Sequence, residues 1–481
     1  MAAWRWLGLG LAALAILGGQ ARAESRSGFR ETAATRRADA LAHALRSAVG
    51  APALTVAVRR GRTLIWSAAY GTPSLESGGQ LSPRSLFRAG SVSKLFTAMT
   101  LMRLRQNGRI DLDAPIQNFL PAFANQPPIT IRQLAGHLGG IRHYREDDRS
   151  LTFRHFETVE ETANLVAADA LVHAPGSQYR YSSFGYNLIA AAIEKAGNAP
   201  FLDQVRSLLF DPLGMQLSGP DNVSAIVPGR VAAYQRDQGT IRNAAFVDPS
   251  YKWAGGGFLT NVEELTLLGS TLLDSDYLAA PLRNEMLTSQ RTADGTETGV
   301  GIGWRIGRDW RGRRILHHAG GQEGSRAVLV VYPDEGLSIA IMTNLFGEPA
   351  LIEPSAAALA EPFFSHVRPP RLPRGSWRIS GRTARGPFSG EVTINAEGEV
   401  QLSGATPLDG FGRAIGLVMP GRLSGRAIVE DREGTTVFLL TPYGYVPLRL
   451  RWTDGVLHGQ VLVPNSPVDF SFEGTSSNAG G

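Results

Sequence analysis

The sequence predicts an α+β domain interrupted by a helical lobe, followed by a separate all-β domain. Three observations carry this reading. Strand patterns sit at residues 54–67 and again at 303–342, with mainly helical patterns between them. The run Pro369-Pro370-Arg371-Leu372-Pro373-Arg374-Gly375 is a linker by composition. Beyond it, short strands alternate with Gly-containing turns.

In chain order, the first residues form a targeting segment. Arg5 precedes an apolar run at 6–19, and Ala21-Arg22-Ala23 is a small-x-small cleavage site, so residues 1–23 are expected to be removed on export to a periplasm or beyond. The apolar run is too short to span a bilayer comfortably, and no stable membrane span is expected after cleavage. Residues 30–49 carry Ala and Leu at helical spacing and stop at Gly50. Residues 54–58 and 63–67 form a hairpin around Arg60-Gly61. A helix is expected over 91–107, and others over 159–172, 186–196 and 201–210 within a lobe spanning about 112–259. After a helix at 262–273, strands are expected at 303–306, 314–318, 327–331 and 338–342, completing the sheet that the hairpin begins. The boundaries are therefore 24–368 for the first domain, 369–375 for the linker, 376–473 for the β domain and 474–481 for a polar tail read as disordered. Strands in the β domain are expected at 391–394, 400–402, 427–429, 436–440, 446–452 and 456–463, as a small antiparallel barrel or sandwich.

Composition removes several function classes. The chain has 481 residues, 43% apolar and 19% charged, with a formal charge of +5 and scattered Arg residues, so nucleic-acid binding has no support. There is no Cys, hence no disulfide framework, no thiol catalysis and no lipid attachment at the signal.

The chemistry concentrates in Phe87-Arg88-Ala89-Gly90-Ser91-Val92-Ser93-Lys94 and the apolar run that follows it. Residues three apart share a helix face, so Ser91 and Lys94 point the same way at the positive end of the helix dipole. A hydroxyl becomes a nucleophile when an amine beside it takes its proton. Of 48 basic residues only Lys94, Lys195 and Lys252 are Lys, and Arg, unlike Lys, cannot serve as a base. A second proton carrier is offered by Tyr181, with Ser183 two residues on as a hydrogen-bonding neighbour. His317-His318-Ala319-Gly320-Gly321 lies on a strand whose small residues let a substrate approach.

In this order and spacing the pieces resemble the serine β-lactamase-related family, including class C β-lactamases, D-alanyl-D-alanine carboxypeptidases, family S12 peptidases and related esterases. The resemblance covers residues 35–365 and includes Gly108-Arg109-Ile110-Asp111-Leu112-Asp113, Pro212-Leu213-Gly214-Met215 and Ala254-Gly255-Gly256-Gly257. His137-Leu138-Gly139-Gly140-Ile141-Arg142-His143-Tyr144 resembles the mitochondrial lactamase-like serine proteases and their bacterial relatives. It implies an α+β, β-lactamase/transpeptidase-like fold: an antiparallel sheet flanked by helices, with the inserted lobe. It implies Ser91 as acylated nucleophile, Lys94 as its proton acceptor and Tyr181 as the relay to leaving group and water. It implies the backbone N–H groups of Ser91 and Gly321 as oxyanion hole, and Ser183, His318, Ala319 and Gly320 as substrate contacts. No metal or cofactor is implied. Two departures stand out: the family's Tyr-x-Asn reads Tyr181-Ser182-Ser183, and its Lys-Thr-Gly reads His318-Ala319-Gly320. The expectation is an exported serine hydrolase acting on an ester or amide of a small molecule or peptide. A class C-type β-lactamase or D-alanyl-D-alanine carboxypeptidase is the rival enzyme, and a non-hydrolytic sensor or assembly protein the rival of another kind.

Overall fold

The computed structural model describes residues 32–273, 276–347, 352–364, 372–383, 386–396, 398–404, 421–462 and 471–476. The signal segment and residues 369–371 of the linker lie outside them. Helix α1 (Ala33–Val49) begins where the Thr32 side chain accepts from the Thr35 N–H and the Thr35 side chain returns the bond. It ends at Gly50, whose φ of 60° closes the C-terminus in the left-handed region. Strands β1 (Ala53–Arg60) and β2 (Thr63–Gly71) form the expected hairpin. Helix α2 (Ser93–Gln106) follows a 3-10 turn at Gly90–Val92, so Ser91 sits in that turn, just ahead of the α-helix expected to begin at it.

The lobe holds α3 (Phe184–Gly197) and α4 (Trp253–Gly256) among shorter helical pieces and one small hairpin. The helix expected over 159–172 covers only Val159–Asn164. Beyond it the N–H groups of Val166, Ala167 and Asp169 bond three residues back, which winds the chain into tight turns in place of a helix. Helix α5 (Val262–Thr271) starts at Asn261, whose side chain accepts the Glu264 N–H.

Strands β3 (Arg305–Arg308), β4 (Arg314–Gln322), β5 (Ser325–Tyr332) and β6 (Leu337–Thr343) complete a six-stranded antiparallel sheet of order β2-β1-β6-β5-β4-β3. Every residue of β6 is buried, because helices cover both faces of the central strands. Helix α5 and the lobe pack on the inner face. Helices α1 and α6 (Ile352–Ala360) pack on the outer face.

The C-terminal domain is a closed eight-stranded antiparallel barrel, β7 (Gly375–Thr383), β8 (Gly386–Ile394), β9 (Glu399–Ser403), β10 (Arg422–Asp431), β11 (Gly434–Thr441), β12 (Gly444–Thr453), β13 (Val456–Val461) and β14 (Ser471–Ser476). Closure pairs β7 with β14, so the last strand runs into the segment read as a tail. Residues 477–481 lie outside the description. Alternation separates its two faces. Val437, Leu439, Val446 and Leu448 fill the barrel, whereas Phe438 and Tyr445 join the core against α1 and α6. Tyr445 Oη donates to the Leu41 carbonyl at 2.9 Å, and Phe438 meets Trp310 edge-on at 5.4 Å between ring centres. Among the described residues no helix is long and apolar enough to cross a membrane.

Candidate active site

The Gly90–Val92 turn abuts β4 so closely that no side chain fits between them. A Cβ on Gly320 would lie 2.1 Å from the Ala89 carbonyl oxygen and 3.0 Å from Ser91 N, and one on Gly90, at φ 51°, would lie 2.9 Å from Gly321 N. Ser91, the only partly exposed residue of that turn, thus stands at the edge of the cleft beside Gly320 and Gly321. Lys94 is fully buried behind it.

The lysine's contacts are specific. Its Nζ lies 2.6 Å from the Gly255 carbonyl oxygen, 2.9 Å from Ser183 Oγ and 3.4 Å from Ser91 Oγ. The faces of Tyr181 and Tyr186 lie 4.9 and 5.3 Å from it. Burial pushes the Lys94 amine well below its ordinary value, and the positive charge of Arg305 pushes it further the same way. A Cβ on Gly255 would press on Ser183 at 3.1 Å and approach the amine at 3.6 Å, so the Gly there keeps this pocket open.

The hydroxyls of Ser91 and Ser183 lie beside the Tyr181 phenol and favour its ionised form, against the larger effect of burial. Burial raises its phenol above the ordinary value, so it remains a protonated phenol at neutral pH. Ser183 is not a free substrate contact; it is the nearest side-chain partner of Lys94. His318 lies on the inner face with its ring 6.4 Å from that of Tyr181. Its Nδ1 is 2.7 Å from the Ala319 carbonyl, which can only accept, so Nδ1 carries the proton and Nε2 is an acceptor in the neutral ring. Burial and then Lys94 hold His318 well below its ordinary value. The side chain of Ala319 points to the opposite face, against the α1 and α6 core, and contributes only its backbone to the cleft.

One group escaped the sequence reading, and a second was read there only as part of the resemblance, without a role in the site. Arg305, on edge strand β3, brings its guanidinium within 5.6 Å of the Tyr181 ring centre, and no carboxylate pairs with it among the described residues. Its positive charge acts on Lys94, His318 and Tyr181 alike, and no local motif marks it. The second group is the His137–Tyr144 stretch, which holds the Tyr181 loop. His137, at φ 63°, accepts the Ser182 N–H on Nδ1 at 3.2 Å, and His143 accepts the Ser183 N–H on Nδ1 at 3.2 Å. The His137 carbonyl takes the Arg180 N–H at 2.9 Å, and its ring stacks 4.4 Å from Tyr181. Burial, with Lys94 adding to it, holds His143 down to about 4, so both rings are neutral acceptors here.

A Ser-x-x-Lys pair opening a buried helix against the edge of an antiparallel sheet defines the class: a serine hydrolase of the lactamase and transpeptidase fold. The chain belongs to the beta-lactamase family, whose model matches residues 38–361. It is 26% identical over 390 residues to the human mitochondrial serine beta-lactamase-like protein LACTB, covering 61% of this chain and 71% of that protein. To the esterase EstB of Burkholderia gladioli it is 30% identical over 191 residues, 36% of this chain and 47% of the esterase. Among solved structures, a D-stereospecific amidohydrolase from Streptomyces aligns with a TM-score of 0.56 at 25% identity, over 68% of this chain and 99% of that one.

Proposed function

We propose that this chain is an exported hydrolase that opens an ester or amide bond through a covalent acyl-Ser91 intermediate. One observation carries the reading, namely the placement of the Lys94 amine. A neutral amine has two N–H bonds and one lone pair. The Gly255 carbonyl and Ser183 Oγ take the two N–H bonds, which leaves the lone pair for the Ser91 hydroxyl at 3.4 Å.

The chemistry follows from that assignment. As Ser91 Oγ bonds to the substrate carbonyl carbon, its proton passes to Lys94 and the carbonyl π electrons move onto oxygen. That oxyanion lies between the backbone N–H groups of Ser91 and Gly321. Collapse re-forms the carbonyl and expels an alkoxide or amine, which takes the Tyr181 phenol proton. Tyr181 recovers a proton from the Lys94 ammonium, returning the amine to neutral. Water then repeats the sequence on the acyl-enzyme, releasing the acid and Ser91. The Ser91 hydroxyl beside the Tyr181 phenol and the closeness of both groups to Lys94 support the relay.

Export rests on the Arg5, apolar-run and Ala21-Arg22-Ala23 pattern. Esterases and amidohydrolases among the similar proteins agree with both bond types. A second reading, a β-lactamase or D-alanyl-D-alanine carboxypeptidase, is favoured by Arg305, since both of those substrates carry a carboxylate. Comparing purified wild type with Ser91→Ala on p-nitrophenyl butyrate tests the proposal. Hydrolysis should fall by several orders of magnitude in a folded variant. Retained turnover would remove Ser91 from the nucleophile's role.

A further inference from the structure

Two of the chain's three lysines, Lys94 and Lys252, are buried beside the nucleophile, yet they are held differently. The Lys94 amine is matched by the Gly255 carbonyl and by the Ser183 and Ser91 hydroxyls. The Lys252 amine makes no hydrogen bond among the described residues. Its Nζ lies over the faces of Tyr251 and Tyr144, at 5.0 and 5.8 Å, and 3.9 Å from Glu323 Oε2, where opposite charges attract but no hydrogen bond forms. Asp221, whose charge also reaches Lys252, is already paired with Arg88 at 2.7 Å and Arg230 at 3.5 Å. Burial lowers Lys252 to about 8 while Glu323 works against it, so the ammonium persists at neutral pH with three N–H bonds and no acceptor.

This ammonium is not sealed in, since 8% of the Lys252 side chain and 34% of the Glu323 side chain are exposed. His143, exposed on the cleft wall and edge-on to Tyr181 at 5.3 Å, is pushed down first by burial and then by both Lys94 and Lys252, which puts the second ammonium beside the same wall. A Cβ on Gly256 would lie 3.5 Å from Lys252 Cδ and 3.7 Å from the Gly90 carbonyl carbon, so one glycine separates the lysine's stem from the residue before Ser91. Strand β3 covers β4 only from Arg314 to His317, which leaves the edge from His318 to Gln322 free to run beside a substrate. Tyr181, the proton donor to the leaving group, stands at the His318 end of that edge. Glu323 and Lys252 stand at the other end, beyond Gly321, where the acyl group extends.

On the acyl-Ser91 reading above, on which this rests, we propose that Lys252 recognises a carboxylate on the acyl half of the substrate, which makes half-esters and half-amides of dicarboxylic acids the preferred substrates. The incoming carboxylate supplies the acceptor that the ammonium lacks and displaces Glu323, whose partly exposed side chain turns to water. The acyl group then passes to Ser91, and the alcohol or amine leaves by the route already given.

Measuring kcat/KM for p-nitrophenyl hydrogen adipate and for p-nitrophenyl hexanoate, which match in chain length, tests this on one preparation of the full-length protein with spontaneous hydrolysis subtracted. The adipate should exceed the hexanoate by about tenfold to a hundredfold. Lys252→Met should abolish that preference, and a ratio of two substrates on one preparation does not depend on how much of the variant folds. Glu323→Gln removes the competing carboxylate and should raise the ratio several-fold, which a merely structural ion pair would not do. A ratio near one in wild type, a ratio unchanged in Lys252→Met or a lowered ratio in Glu323→Gln would each overturn the proposal. So would a preference for p-nitrophenyl 6-aminohexanoate, which would give recognition to Glu323 instead. Hydrolysis that survives in Ser91→Ala would overturn the acyl-enzyme reading and this inference with it, whereas Ser91-dependent hydrolysis without an acid preference would overturn the inference alone.

Discussion

Ser183→Ala separates two roles for a residue that the sequence presents as a substrate contact and the structure places on the lysine. Ser183 is buried, its Oγ 2.9 Å from Lys94 Nζ, in a pocket that Gly255 leaves just wide enough for the two side chains. Removing the hydroxyl leaves one N–H of the amine without an acceptor in a desolvated site, at a cost of about 1–3 kcal/mol. It also frees the amine to rotate, so the lone pair is no longer directed at Ser91. If that cost falls on the step in which the amine must be aligned, kcat drops about tenfold to a hundredfold. The drop should be the same for every substrate, with KM little changed. The pH profile supplies a second readout. An ammonium donates to Ser183 more strongly than an amine does, so Ser183 raises the Lys94 pKa and its removal lowers it. The active form is the amine, and the acid limb of kcat/KM should therefore move to lower pH. Steady-state kinetics with a neutral ester and a cephalosporin decide the matter. An unchanged kcat with a raised KM would refute the reasoning and return Ser183 to the substrate.

The other predictions concern the same cleft. Lys94→Arg keeps the charge and removes the base, so activity should fall by about a thousandfold or more in a protein that still folds; near wild-type turnover would route the proton elsewhere. Arg305→Gln should lower kcat/KM for nitrocefin or benzylpenicillin by about tenfold to a hundredfold while sparing p-nitrophenyl butyrate, measured on one preparation, because only the former carry a carboxylate. Gly320→Ala would bring a methyl carbon within 2.1 Å of the Ala89 carbonyl oxygen, so β4 or the Gly90–Val92 turn must shift. A lower Tm together with lost activity is expected, and a wild-type Tm would mean that the two segments are not in contact.

The sequence made the nucleophile's neighbourhood legible because its signals are local. Ser91 and Lys94 lie three residues apart at the head of an apolar run, and Lys is rare in this chain. The hairpin, the sheet strands and most of the barrel followed from period-2 patterns bounded by Gly. What escaped depends on distant parts of the chain. Arg305 reaches Tyr181 from an edge strand, and nothing in its own sequence neighbourhood distinguishes it from the other arginines. The first barrel strand was hidden by its Gly, Ser and Arg content, although buried Trp377 and Ile379 do alternate with exposed Arg378 and Ser380. At residues 165–169 apolar spacing suggested helix, but i→i−3 bonding took over. The positive φ of His137, which sets the Tyr181 loop, is uncommon for any residue other than Gly, so the sequence alone did not point to it although His tolerates it better than most.

The account stands or falls on whether Ser91 becomes covalently acylated. Intact-protein mass spectrometry after rapid acid quenching of the enzyme with p-nitrophenyl butyrate, followed by peptide mapping, measures this directly. The account predicts a butyryl adduct on the peptide that contains Ser91 and none in Ser91→Ala. Full turnover with no adduct, or an adduct on any other residue, would contradict it.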